Sequence, residues 1–185
     1  VVNTITLFHN PVVILINDVY IVDSFIWNGT SPTQFTGTFD LGGKVLSLAG
    51  AFTRTGSTGI LKGGGTSTID CIGPGAQTLP DVTNGGLYDL IIENSSGVTL
   101  NGNIIINNVL YLYAGTLTNS VANNITMAAG TLIDRNDGSS IAVTPVGTIY
   151  DVTYENGAPV NVGPELQNNS VIRDLTINGS DDVTL

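Results

Sequence analysis

The sequence predicts an all-β chain folded as a parallel β-solenoid of two modules, each about 85 residues long. Three observations carry this: a composition hostile to long helices, short strands punctuated by turn residues, and an internal repeat at a fixed offset. Of the 185 residues, 42% are hydrophobic and only 11% charged, where soluble domains usually carry about 25% charge. Gly (23 residues), Asn, Thr and Ser stand where Lys, Glu and Arg would in a helical protein, and they are poor or middling helix formers. Val, Ile, Leu and Thr favour strands. The positive mean hydropathy of +0.28 argues against disorder, and no run of 18 apolar residues is present to span a bilayer.

The repeat is legible directly. Residues 87–100 (LYDLIIENSSGVTL) and 172–185 (IRDLTINGSDDVTL) share seven of fourteen positions at an offset of 85. Extended backwards, the offset aligns Ile5 with Leu90, Leu7 with Ile92, Val13 with Val98 and Leu15 with Leu100 by class. Farther on, Phe25-Ile26-Trp27 falls near Tyr111-Leu112-Tyr113. The chain therefore divides into residues 1–12, the end of a preceding module or a stacking strand; residues 13–97 and 98–182, two solenoid modules; and residues 183–185, the start of a third.

Within a module, period-two strands such as Val98-Thr99-Leu100, Ile104-Ile105-Ile106 and Thr116-Leu117-Thr118 alternate with Asn101-Gly102-Asn103, Asn107-Asn108 and Ala114-Gly115. If those turns are hairpins, a β-sandwich or jelly roll results; if they are corners, each strand stacks on the next coil. Strands of three to five residues, Asn at the corners and the return of Ala114-Gly115-Thr116-Leu117 as Ala129-Gly130-Thr131-Leu132 favour corners. A coil of about 20 residues makes a module four coils tall, about 19 Å at the strand spacing. Residues 134–170 read as longer excursions from the wall.

Residues 73–118, GPGAQTLPDVTNGGLYDLIIENSSGVTLNGNIIINNVLYLYAGTLT, resemble large surface repeat proteins of Bacteroidetes-like bacteria. Those carry G-A-Q-T-[LI]-P runs followed by V-T-L-x-x-N and G-T-L-T. Residues 152–185 look like a variant of the same unit. The resemblance implies a secreted, cell-surface β-helical stalk, adhesin or fibre, and supplies no catalytic residues.

The charge balance is −10, and the five basic residues, Lys44, Arg54, Lys62, Arg135 and Arg173, are scattered. No patch can neutralise several phosphates, so neither nucleic acid nor membrane insertion is expected. His9 and Cys71 are each the only residue of their type, which leaves the Ser and Thr hydroxyls without a second base; an enzyme is not expected. Carboxylate pairs suited to glycoside hydrolysis would be Asp134 with Asp137 or Asp181 with Asp182, but both read as turn residues. Asp134, Asn136 and Asp137 form a weak calcium candidate, opposed by Arg135 and lacking a later Glu, so no cofactor beyond structural calcium is expected. Gly63-Gly64-Gly65 lacks the Lys-Ser/Thr of a phosphate loop.

Neither end shows the polar cap usual in solenoids. Chain start and end share one phase of the repeat, as in a segment of a longer array or a subunit that stacks on copies of itself. The opening residues carry neither an initiator Met nor a leader pattern. The expected axial-stacking residues are Ile5, Leu7, Val13 and Leu15 at one end, and Leu175, Ile177, Val183 and Leu185 at the other. The leading expectation is a structural module of an extracellular fibre, its partners further modules or copies joined head to tail. The alternative is a stalk binding surface glycans through exposed Trp27, Tyr111 and Tyr113; a polysaccharide-active enzyme ranks last.

Overall fold

The computed structural model describes residues 1–27, 35–54, 58–120, 124–147, 149–157, 159–166, 172–179 and 183–184. Every ladder among them is parallel, and the strands stack as a β-solenoid of about eight turns. Strands are numbered β1 to β22 in chain order, and they lie on three faces.

The first face holds β2 (Val12–Ile14), β4 (Thr38–Asp40), β7 (Ile60–Lys62) and β10 (Val82–Thr83). It continues through the start of β13 (Ile104–Leu112), then β15 (Ile125–Met127) and β18 (Val146–Gly147). The second face begins with the first half of β3 (Val19–Trp27), β5 (Val45–Leu48), β8 (Thr68–Cys71) and β11 (Leu87–Ile92). It runs on through the end of β13, β16 (Thr131–Asn136), β19 (Tyr150–Asn156) and β21 (Ile172–Gly179). The third face holds β1 (Val2–Leu7), the end of β3, and β6 (Ala51–Arg54). Above these it divides into two sheets. One is β9 (Gln77–Leu79), β12 (Val98–Leu100), β14 (Gly115–Asn119) and β17 (Ser139–Ile141); the other is β20 (Val160–Asn161) with β22 (Val183–Thr184).

The register explains the repeat. Leu90 pairs with Leu110, Leu110 with Ile133, Ile133 with Val152 and Val152 with Leu175. Residues 85 apart thus share one column of the second face, four turns apart. In the other direction the same offset lands one face away, because Ile5 and Leu7 pair with Phe25 and Trp27 on the third face. The step from Phe25 to its partner Phe52 takes 27 residues, against 19 to 23 in the later turns of the second face, and this extra chain shifts the phase. The Ala-Gly-Thr-Leu echo marks neighbouring corners: Gly115 enters the third face and Gly130 precedes the second.

Alternation places one side of each strand inside. Leu90, Leu110, Ile133 and Val152 are fully buried, as are Ile92, Leu112 and Cys71. The interior of the early turns is aromatic. Phe25 lies 4.8 Å from both Phe39 and Phe52, and Trp27 5.0 Å from Phe52 and 5.1 Å from Phe35. At one inner corner Gln77 donates from Nε2 to the carbonyls of Leu48 (2.8 Å) and Gly50 (2.6 Å). Its Oε1 accepts from Asn94 Nδ2 at 2.7 Å, and that same Nδ2 also reaches Gly75 O. Buried amides are tolerated because their hydrogen bonds are met.

Three expectations change here. Residues 134–166, where described, are not long excursions: β16, β17, β18, β19 and β20 lie on the wall, and a short 3-10 turn, Pro164–Leu166, brings Glu165 inside. Asp134, Arg135 and Asn136 belong to β16 rather than to a loop. Several strands exceed five residues, because β3 and β13 run around a corner and serve two faces. At the corners asparagine serves mostly through its side chain, as where Asn107 Nδ2 donates to the carbonyls of Gly85 and Leu87, and glycine takes most of the left-handed positions. His9 and Asn84 are the non-Gly residues with positive φ among those described, against ten such glycines. Gly115, at φ +73°, shows why: a Cβ there would sit 2.0 Å from the carbonyl oxygen of Asn94.

Candidate functional site

The end turns are one candidate. Leu175 and Ile177 continue the inward columns of Val152 and Tyr154. Those two are fully buried, yet Leu175 is 45% exposed and Ile177 51%. Their inward position is thus apolar surface open to water at the end of the core. Val183 packs against the core and is half-buried. At the opposite end Leu7 and Leu15 are buried, and Ile5 and Val13 half-buried. The outer side of β2 is apolar as well, with Val12, Ile14 and nearby Ile16 exposed. Leu185 lies outside the described residues, as do Asp181 and Asp182.

The outer wall of the second face is a second candidate. Asp70, Ile91, Tyr111, Asp134 and Thr153 form one outward column. Tyr111 and Tyr113 project side by side, ring centroids 5.5 Å apart and 17° from parallel. Burial, then the Glu93 charge, raises the Asp70 carboxyl above its ordinary range, with Ser47 opposing. Burial and then Glu155 do the same for Asp134. Both tyrosine hydroxyls are raised by burial and by the carboxylates around them, chiefly Asp89 and Asp134 for Tyr111 and Asp134 for Tyr113. The stacked pair leaves each ring one face covered by the other. Trp27 is fully buried among phenylalanines, with Arg54 over its ring at 5.5 Å, so the expectation of an exposed tryptophan is corrected.

Asp134 and Asn136 point outward from β16, and Asp137 at the following corner accepts the Gly157 N–H at 2.8 Å. These three residues thus lie on a strand and its following corner, and no group of three or more His, Cys, Asp or Glu side chains suited to a metal occurs among the described residues. Cys71 faces the core, where burial pushes its thiol well above the usual range. His9 is exposed at its corner. The Asn94 side chain is buried, donating to Gln77 Oε1.

The third candidate was missed in the sequence. Arg135 alternates inward from β16 and ion-pairs with Glu165, presented by the Pro164–Leu166 turn. The Tyr154 hydroxyl donates to Glu165 Oε1 (2.8 Å), the Tyr150 hydroxyl to its backbone carbonyl (2.9 Å), and Gly163 N to Oε1 (3.1 Å). Arg135 also donates to the carbonyls of Ser139 (2.7 Å) and Asn161 (3.2 Å), spanning the split in the third face between β17 and β20. The sequence signal was strand alternation itself: Thr131, Ile133 and Arg135 share a side, which places the arginine inside. No helix of the described residues is long and apolar enough to cross a membrane. No protein family, curated protein or solved structure matches the chain.

Proposed function

We propose that this chain is a structural module of an extracellular or cell-surface fibre, joined axially to further solenoid turns of the same kind. The observation that carries the reading is the exposure of Leu175 and Ile177, inward residues whose counterparts one turn below are fully buried. An inward column that stops in water is completed by one more turn laid on it, contributed by the same polypeptide or by a second copy. Burying apolar surface at about 25 cal/mol per Å² drives the contact, and unpaired backbone along β21 supplies strand pairing. A head-to-tail contact of this kind repeats without closing and so makes a filament. The net charge of −10 opposes association at low ionic strength and weakens with screening.

Sedimentation velocity over a concentration series tests the reading. Species growing with concentration, and reduced to monomer by Leu175→Lys with Ile177→Lys, are expected. A monomer at every concentration and salt level overturns axial joining between copies.

A further inference from the structure

Asparagine followed by glycine occurs five times. Four of the pairs lie among the described residues: Asn84-Gly85, Asn101-Gly102, Asn156-Gly157 and Asn178-Gly179; the fifth, Asn28-Gly29, lies outside them. Each pair sets an electrophile, the side-chain amide carbon, beside a nucleophile, the next backbone nitrogen, which no glycine side chain shields. In three of the four the fold holds one of these groups. Gly102 is buried, and a Cβ on it would sit 2.0 Å from the Asp81 backbone nitrogen, so its peptide has no room to turn. Gly157 N donates to Asp137 Oδ2 at 2.8 Å, and that carboxylate opposes loss of the amide proton. Asn178 Nδ2 donates to both oxygens of the Glu155 carboxylate, at 3.1 and 2.9 Å, within the β19–β21 ladder. Asn84 differs on every count. Both it and Gly85 are exposed at the corner between β10 and β11. Neither the Asn84 side chain nor the Gly85 N–H hydrogen-bonds to any described residue. A Cβ on Gly85 would come no closer than 3.5 Å to the packed neighbours.

We propose that the Asn84–Gly85 corner is a modification site, where the fold leaves Asn84 open to spontaneous deamidation and isomerisation. Gly85 N gives up its proton and attacks Asn84 Cγ. The new N–C bond forms as the bond from Cγ to the side-chain nitrogen breaks, and that nitrogen leaves with the proton as ammonia. Water then opens the five-membered imide at either carbonyl, leaving aspartate or isoaspartate at position 84. The net change is one water taken up and one ammonia released, with no redox step. Asn84, Gly85 and Gly86 are left-handed in succession, at φ +55°, +88° and +74°, which Asn and Gly tolerate best. None of the three belongs to a strand, so the ring closes without breaking a ladder. Isoaspartate adds a main-chain carbon and a negative charge to a corner where Gly65 N donates to Gly86 O (2.9 Å) and Asn107 Nδ2 to Gly85 O (2.6 Å). The site is independent of the axial contact, which uses Leu175 and Ile177.

The experiment ages the full chain at mildly alkaline pH, folded and, in parallel, unfolded in guanidinium chloride. The four pairs are followed by peptide mass spectrometry, and isoaspartate is read by enzymatic methylation of the digested peptides. In the folded chain Asn84 is expected to react about tenfold faster than Asn101, Asn156 or Asn178, a barrier lower by about 1.4 kcal/mol. In the unfolded chain the four rates are expected to draw together, because Asp81, Asp137 and Glu155 no longer hold the other three. A folded chain in which any of those three reacts as fast as Asn84 overturns the proposal. So does a lead for Asn84 that persists undiminished on unfolding, which would place its cause in the local sequence.

Discussion

The early and late turns share one backbone plan and fill it in opposite ways. Between the second and third turns the interior is a cluster of Phe25, Trp27, Phe39 and Phe52, with ring centroids about 5 to 6 Å apart and the Arg54 guanidinium at its edge over Trp27. Between the seventh and eighth it is Arg135 against Glu165, capped by two tyrosine hydroxyls. The parallel ladder runs unbroken along the second face through both regions. Backbone pairing therefore fixes the stacking, and the interior has only to fill its layer. Apolar rings do so by area and shape. The ion pair does so with most of its polar atoms partnered, Arg135 Nε and Glu165 Oε2 excepted, and it coincides with the split in the third face.

That contrast predicts unequal responses to mutation. Glu165→Ala strands the Arg135 guanidinium in the core and is expected to cost about 3–5 kcal/mol, read as a fall in the midpoint of urea denaturation. Replacing both partners, Arg135→Met with Glu165→Met, is expected to recover most of that loss, since a buried pair is about as good as an apolar one of similar volume. A double variant no better than the single would show that the pair itself, rather than the avoidance of a lone charge, holds the late turns. In the aromatic region Phe25→Leu, a smaller apolar side chain in the same column, is expected to cost about 1–2 kcal/mol. A loss as large as that of Glu165→Ala would mean that ring geometry matters there as much as burial.

The smallest effect separates outer wall from interior. Asp70 and Asp134 have folded pKa values above the ordinary 3.8. In the window between that value and the raised one, the folded chain holds more protons than the unfolded chain, so stability falls as the pH rises through it. Asp40, held low by its Lys62 hydrogen bond, acts in the opposite sense, and its contribution is lost only below 3.8. Tm is therefore expected to rise as the pH drops from 7 toward 3.8 and to fall below it. Asp70→Asn with Asp134→Asn should flatten the upper limb, and an unchanged limb would remove these two carboxylates as its cause.

Much of the fold was legible in the sequence because period-two alternation and a fixed offset both survive into the register. Leu90 and Leu175 share a column for that reason. The phase slip at the first turns was hidden, since a 27-residue step and a 20-residue step leave similar strings of Val, Ile and Phe. Residues 134–170 misled because Asp, Asn and Gly mark loops in most folds, whereas here Asp134 and Asn136 occupy the outward side of a buried-faced strand. Of the expected end residues, Leu175 and Ile177 are exposed, whereas Leu7 and Leu15 are buried. The Arg135–Glu165 pair was not legible, because Glu165 reaches Arg135 from 30 residues away through a turn with no periodic signal.

Electron microscopy of the purified chain at high concentration tests axial joining most directly. Eight turns at about 4.8 Å each predict filaments with an axial repeat of about 38 Å and a layer spacing of about 4.8 Å, dispersed by Leu175→Lys with Ile177→Lys. Isolated short rods at every concentration, unchanged by those substitutions, would contradict the account.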